Sequence, residues 1–181
     1  MTESIQTNAD VATDWATLRF VVSSLLSRVA TATLVRVAAC TNDGGVSPVG
    51  TVDVQPLIQM RAGDGTLWNH GRLYKLPYLR VQGGANAVIL DPQAGDIGIA
   101  WFASRDISVT KETSLAALQA ALGVAPGSER QFDMSDGIYG FTIRTAAPTQ
   151  YVRFTADSVE VVSPSTVTIQ APTIELKGDV V

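Results

Sequence analysis

From Thr149 onward the chain repeats a short unit of one apolar, one polar and one apolar residue. Val152-Arg153-Phe154, Val159-Glu160-Val161, Val167-Thr168-Ile169 and Ile174-Glu175-Leu176 begin seven, eight and seven residues apart, with small turn formers between them. Strand alternation puts both apolar residues of each unit on one face and the polar residue on the other. Strands this short cannot bury such a face alone, and their unpaired edges invite aggregation. Self-similarity at a fixed short period instead predicts stacking about an axis. Three copies wound together meet both needs: each strand pairs with a neighbouring chain, and Val152, Phe154, Val159, Val161, Val167, Ile169, Ile174 and Leu176 fill the axis. The rival arrangement is an ordinary antiparallel sheet lying on the preceding domain. Twelve strands on three faces make about four layers, or roughly 20 Å of prism at ~4.8 Å per strand. That is shorter than the ~30 Å hydrocarbon core of a membrane. The expectation is a stub, continued beyond Val181 or extended by another protein.

The residues before this tail read as one domain. Trp15, Leu18, Val22, Leu25, Leu26 and Val29 fall at helical spacing behind Thr13 or Asp14 as N-cap, which predicts an amphipathic helix. Its apolar face suits either its own domain or a neighbouring subunit, and Trp15, Leu18, Val22 and Leu25 are the candidate contacts. The pattern turns to alternation at Val29: Leu34, Arg36 and Ala38 share one face, Val35, Val37 and Ala39 the other. Next comes a strand with Val52, Val54 and Leu57 inward and Pro56 marking an edge or bulge, and later YLRVQ, NAVILD and IGIAWFAS. In that last run one of Trp101 and Phe102 belongs to the core and the other faces out. Five short strands with Gly-rich turns over 29–106 predict a small Greek-key barrel of the OB type. Residues 107–148 read as a short helix over Leu115, Leu118 and Leu122, followed by a connector. Residues 1–28 form an extension plus helix, with at most local order before Asp10, and 149–181 the repeats. The fold class is therefore mainly β.

Chemistry is hard to find. The net charge is −4, with only 13 basic residues, all scattered; a nucleic-acid binder clusters Lys and Arg. Charged residues make up only 17% of the chain, below the usual quarter, so some surface is expected to be hidden in an oligomer. The single cysteine, Cys40, excludes an intrachain disulfide and reads as a small hydrophobe. The single histidine, His70, has no second ligand near it in sequence, and no Gly-x-Ser-x-Gly elbow is present. Asp91, Asp96 and Asp106 sit in turn contexts, where Asp bonds its own backbone. Gly83-Gly84-Ala85-Asn86 lacks the Lys-Ser/Thr of a phosphate loop. No enzyme activity, cofactor or metal is expected. The N-terminus has no basic, apolar signal segment, and the apolar runs fall short of a membrane helix, so synthesis in a cytoplasm is expected. A second function remains open, in which the barrel binds an oligosaccharide or a single-stranded nucleic acid through Trp68, Tyr74, Tyr78 and Arg80.

Several motifs occur in a fixed order: Val54-Gln55-Pro56-Leu57, Pro77-x-Leu79-Arg80-x-Gln82-Gly83-Gly84, Asp91-Pro92-x-x-Gly95-Asp96-x-Gly98, Arg105-Asp106-Ile107 and Phe132-Asp133-x-Ser135-Asp136-Gly137. Together, over roughly residues 25–140, they resemble the baseplate central-spike proteins of contractile-tailed bacteriophages. The resemblance implies an N-terminal OB-fold domain attached beneath the tail hub. It also implies a C-terminal triple-stranded β-helix, a homotrimeric assembly and no catalysis. The implied partners are two further copies, the baseplate hub protein, a separate spike-tip protein and, transiently, the host envelope. The implied location is the virion, at the distal tip of the tail. Many such spikes end in a His-x-His tip that holds iron; this chain has only His70, far from its C-terminus, so the piercing tip is expected to be absent from this chain or carried by a separate protein.

Overall fold

A computed structural model of the chain describes residues 13–178; the stretch before Asp10, expected to have at most local order, lies outside the described residues. Contacts divide the chain after Thr145. In the first unit, α1 (Asp14–Leu26) begins where the Thr13 hydroxyl accepts the Ala16 amide at 3.1 Å, capping one of the amides a helix start leaves unpaired. The strands are β1 (Ala32–Cys40), β2 (Thr51–Pro56), β3 (Met60–Arg61), β4 (Leu67–Trp68), β5 (Leu73–Pro77), β6 (Val81–Gly83), β7 (Asn86–Val88) and β8 (Ile97–Phe102). Helices α2 (Ser108–Glu112) and α3 (Leu115–Ala120) follow, then β9 (Gly137–Arg144).

The main sheet has five antiparallel strands in the order β5-β2-β1-β8-β9. Its two edges meet at one parallel bridge, Tyr78 to Tyr139, where the Leu79 amide donates to the Tyr139 carbonyl at 3.0 Å. A continuous closed barrel, expected from the sequence, is not found among the described residues. Alternation places Val35, Val37, Val52, Val54, Leu76, Ala100, Phe102 and Tyr139 in one core. Phe102 is the buried member of its pair, and Trp101 stays half-exposed over Gly140, whose absent side chain leaves room for the indole.

The structure corrects five expectations. The β1–β2 register shifts between Val37 and Ala39, so Ala39 turns outward and Cys40 packs on the core instead; one extra residue reverses the alternation beyond it. Pro56, not Leu57, takes the inward place at the end of β2. YLRVQ and NAVILD do not enter the sheet. Apart from the buried Tyr78, with its single bridge to Tyr139, and the tied-in Arg80, they supply the exposed β6–β7 hairpin (Val81–Gly83 and Asn86–Val88), turned at Gly84 with φ +57°. The fifth strand is β9, from the stretch expected to be a connector. The Leu115 helix also stops at Ala120, leaving Leu122 fully exposed.

In the second unit, β10 (Tyr151–Phe154) and β11 (Val159–Val162) pair antiparallel. The first two repeats thus pair with each other within the chain. The repeats at Val167–Ile169 and Ile174–Leu176 form no strand in the single chain.

Candidate functional site

The register of the tail hairpin settles which side chains share a face. Val152 stands opposite Val161 and Phe154 opposite Val159, while Arg153 stands opposite Glu160. The apolar pairs therefore lie on one side and the charged pair on the other, as the alternation of the repeat predicts. Arg153 Nη2 donates to both Glu160 carboxylate oxygens, at 2.8 and 2.7 Å. Among the described residues nothing buries the apolar side. All eight residues of the expected axial row are between 50% and 76% exposed. Four of them share one hairpin face and four more follow within the same short segment; large hydrophobes grouped at the surface in this way mark an interaction surface.

Helix α1 shows the same inversion. None of its residues is buried, and Trp15, Leu18, Val22 and Leu25 are 45% to 73% exposed, together with Val21 and Leu26. The partly covered residues are Ala16, Thr17, Phe20 and Ser24, which fall on the opposite side of a helix at 100° per residue. Of the expectations for this helix, packing on its own domain through the apolar stripe is the one these exposures do not fit.

The ordered motifs, by contrast, turn out to be internal ties. Arg80 and Asp91 form an ion pair with both side chains buried. The Tyr78 hydroxyl donates to the same carboxylate at 2.6 Å, and the Gly44 amide to its other oxygen at 3.0 Å. Burial pushes the Asp91 carboxyl up, but the bonds from Tyr78, Arg80 and Gly44 outweigh it and hold it below the usual range. Asp91 thus does more than close a turn. A second cluster surrounds Arg130, which grips the buried Asp136 through Nε at 2.8 Å and Nη2 at 3.0 Å, and reaches Asp106 at 3.1 Å. Asp136 also accepts the Ile107 amide at 3.1 Å. Hydrogen bonds from Ser108 and Ser128, then the Arg130 charge, hold the Asp106 carboxyl well below its ordinary value. Asp96 keeps the expected turn role, accepting the Gln93 amide at 2.9 Å. Sequence reasoning did not single out Arg130 or Asp136; the signal was present in the Phe132-to-Gly137 motif but had no partner visible nearby.

This arrangement breaks up the ligand-binding set expected on the barrel. Tyr78 and Arg80 are sealed inside, whereas Trp68 and Tyr74 are exposed. Trp68 lines a groove of about 750 Å³ with Arg28, Arg61, His70 and Phe132. Burial lowers the pKa of His70 there. Among the described residues no group of three His, Cys, Asp or Glu side chains could hold a metal, and no helix is long and apolar enough to cross a membrane. No protein-family model matches the chain, and no curated protein matches it.

Proposed function

We propose that the protein is a structural part of a virion: a homotrimeric central spike at the distal tip of a contractile tail baseplate. In this reading it plugs the tail hub and transmits the force of contraction to the host envelope. The observation that carries the reading is the set of four exposed apolar residues in register on one face of the tail hairpin, repeated in sequence by the exposed Val167, Ile169, Ile174 and Leu176. Three copies bury that row on a common axis, and the two repeats without strands then acquire backbone partners. Many interchain hydrogen bonds around a dry apolar axis resist bending, because bending breaks them together. A part that pushes needs that stiffness.

The sheet supports the same reading. Taken in chain order, its strands lie 3-2-1-4-5, and the third and fifth meet through the parallel Tyr78–Tyr139 bridge. That order, with the one bridge as a seam, supports reading the sheet as an OB-type domain. The Arg80–Asp91 and Arg130–Asp136 ties brace the loops of this adaptor. Cryo-electron microscopy of the intact tailed particle tests the role: threefold density on the tail axis beneath the hub is expected, and an axis without this protein sinks the proposal.

One observation favours a second reading, an OB-fold module for oligosaccharide or single-stranded nucleic acid: the exposed Trp68 ring in a groove with Arg28 and Arg61. Base or sugar stacking on such a ring is a recognised mode of binding. That reading expects retention on a glycan or oligonucleotide matrix, lost in Trp68→Ala.

A further inference from the structure

The exposed stripe of α1 follows a heptad. Writing Trp15 as position a puts Leu18 at d, Val22 at a and Leu25 at d, with Val21 at g and Leu26 at e. These six are the exposed large hydrophobes of the helix. The partly covered Ala16, Thr17, Phe20 and Ser24 take positions b, c and f on the back. A helix that keeps only Phe20 and three small or polar residues toward cover, and turns its a and d residues to water, is arranged to meet other helices along that seam. The flanking charges match as well. Asp14 is at g and Arg19 at e, five residues on, and neither has an ion-pair partner among the described residues of the single chain. In a parallel coiled coil, g of one chain lies beside e of the next heptad in its neighbour. Asp14 of one copy would therefore face Arg19 of another.

The geometry points to a second copy of this same helix as the occupant: α1 forms a short parallel three-helix coiled coil with the α1 helices of two further chains. Val at a over Leu at d by itself favours two strands. The apolar Val21 and Leu26 at g and e widen the stripe beyond a two-stranded seam, and the tail supplies the threefold. The inference rests on the trimer reading in that respect. A helix of 13 residues is marginal alone, and it associates because the tail holds three copies at high effective concentration. Helices related by a threefold axis point the same way, so like layers meet: Leu18 packs with Leu18 and Leu25 with Leu25.

Homotypic crosslinking in the full chain tests this. Leu18→Cys and, separately, Leu25→Cys are oxidised under mild conditions, beside the unmodified chain with its own Cys40 and a Phe20→Cys control from the back of the helix. The native mass of each is measured in parallel. A bond between like positions is expected for both variants, with about two thirds of the chains in the crosslinked pair, because one disulfide joins two of three copies. None is expected for Phe20→Cys or for Cys40 alone. A trimeric mass with no bond at 18 or 25 overturns the coiled coil and leaves the trimer standing, with the stripe assigned to another protein. A monomeric mass with no bond overturns both. Bonds in a particle of dimeric mass overturn the three-helix arrangement.

Discussion

Replacing Phe154 with alanine removes the largest side chain from the tail row without touching the packed interior of the first unit. Phe154 is 76% exposed in the single chain. Burying a whole large apolar side chain is worth about 1.5–3 kcal/mol, so covering this one on the axis contributes about 2 kcal/mol per chain. Three copies meet in the same layer, which makes about 6 kcal/mol per trimer. At ~1.4 kcal/mol per factor of ten, the trimer dissociation constant rises about ten-thousandfold. Within one chain the loss is the cross-strand pairing with Val159, ~0.2–1 kcal/mol. Sedimentation equilibrium across a dilution and urea series reads the first effect, and thermal unfolding of the first unit reads the second. The expected pattern is easier dissociation with the unfolding transition of residues 13–145 in place. An unchanged dissociation profile for Phe154→Ala would refute the axial assignment.

Arg130→Ala should destabilise the first unit by about 2–3 kcal/mol in denaturant unfolding. It leaves the buried Asp136 carboxylate unpaired, a loss of ~3–5 kcal/mol for a fully buried pair, reduced here because Arg130 is 37% exposed. Gly98→Ala should cost roughly 1–3 kcal/mol in the same assay, since a Cβ there runs into the Tyr139 hydroxyl and comes 2.7 Å from the Phe141 carbonyl oxygen; a wild-type midpoint would remove that packing argument. Stability should begin to decline below about pH 6.5, the ordinary histidine value, because burial lowers the His70 pKa in the fold, and fall further below about pH 4, the ordinary carboxylate range. Asp91 and Asp106 have lowered pKa values in the folded chain, so their contribution is complete above the unfolded value and is lost on acidification. Melting temperatures from pH 7 to pH 2 measure it, and Asp106→Asn should flatten the acid limb.

Local period was the part of the fold open to reading. Val35, Val37, Val52 and Val54 alternate over short distances and proved to be the core, and the tail repeats share a face because two-residue alternation needs no tertiary information. Where the outcome depended on distant residues, the sequence was silent or misleading. Gly137 and Gly140 made β9 look like a connector, yet they are glycine because Leu76 and Trp101 occupy the space their side chains would need. Tyr78 and Arg80 carry polar tips and read as surface. Their burial is supported by Asp91, thirteen and eleven residues away, which accepts from the Tyr78 hydroxyl and from Arg80 Nη2. The β1 bulge reversed one alternation midway, which no local pattern announces. The apolar residues of α1 were legible as a stripe, but only their exposure in the folded chain separates a face for self-packing from a face for partners.

The central claim is that the exposed tail row is covered by two further copies of the chain. The native mass of the full chain in solution tests this most directly. Three copies of 19.1 kDa, about 57 kDa by threefold multiplication, are expected as one species over a wide dilution range. A single 19.1 kDa species at every concentration would contradict the account.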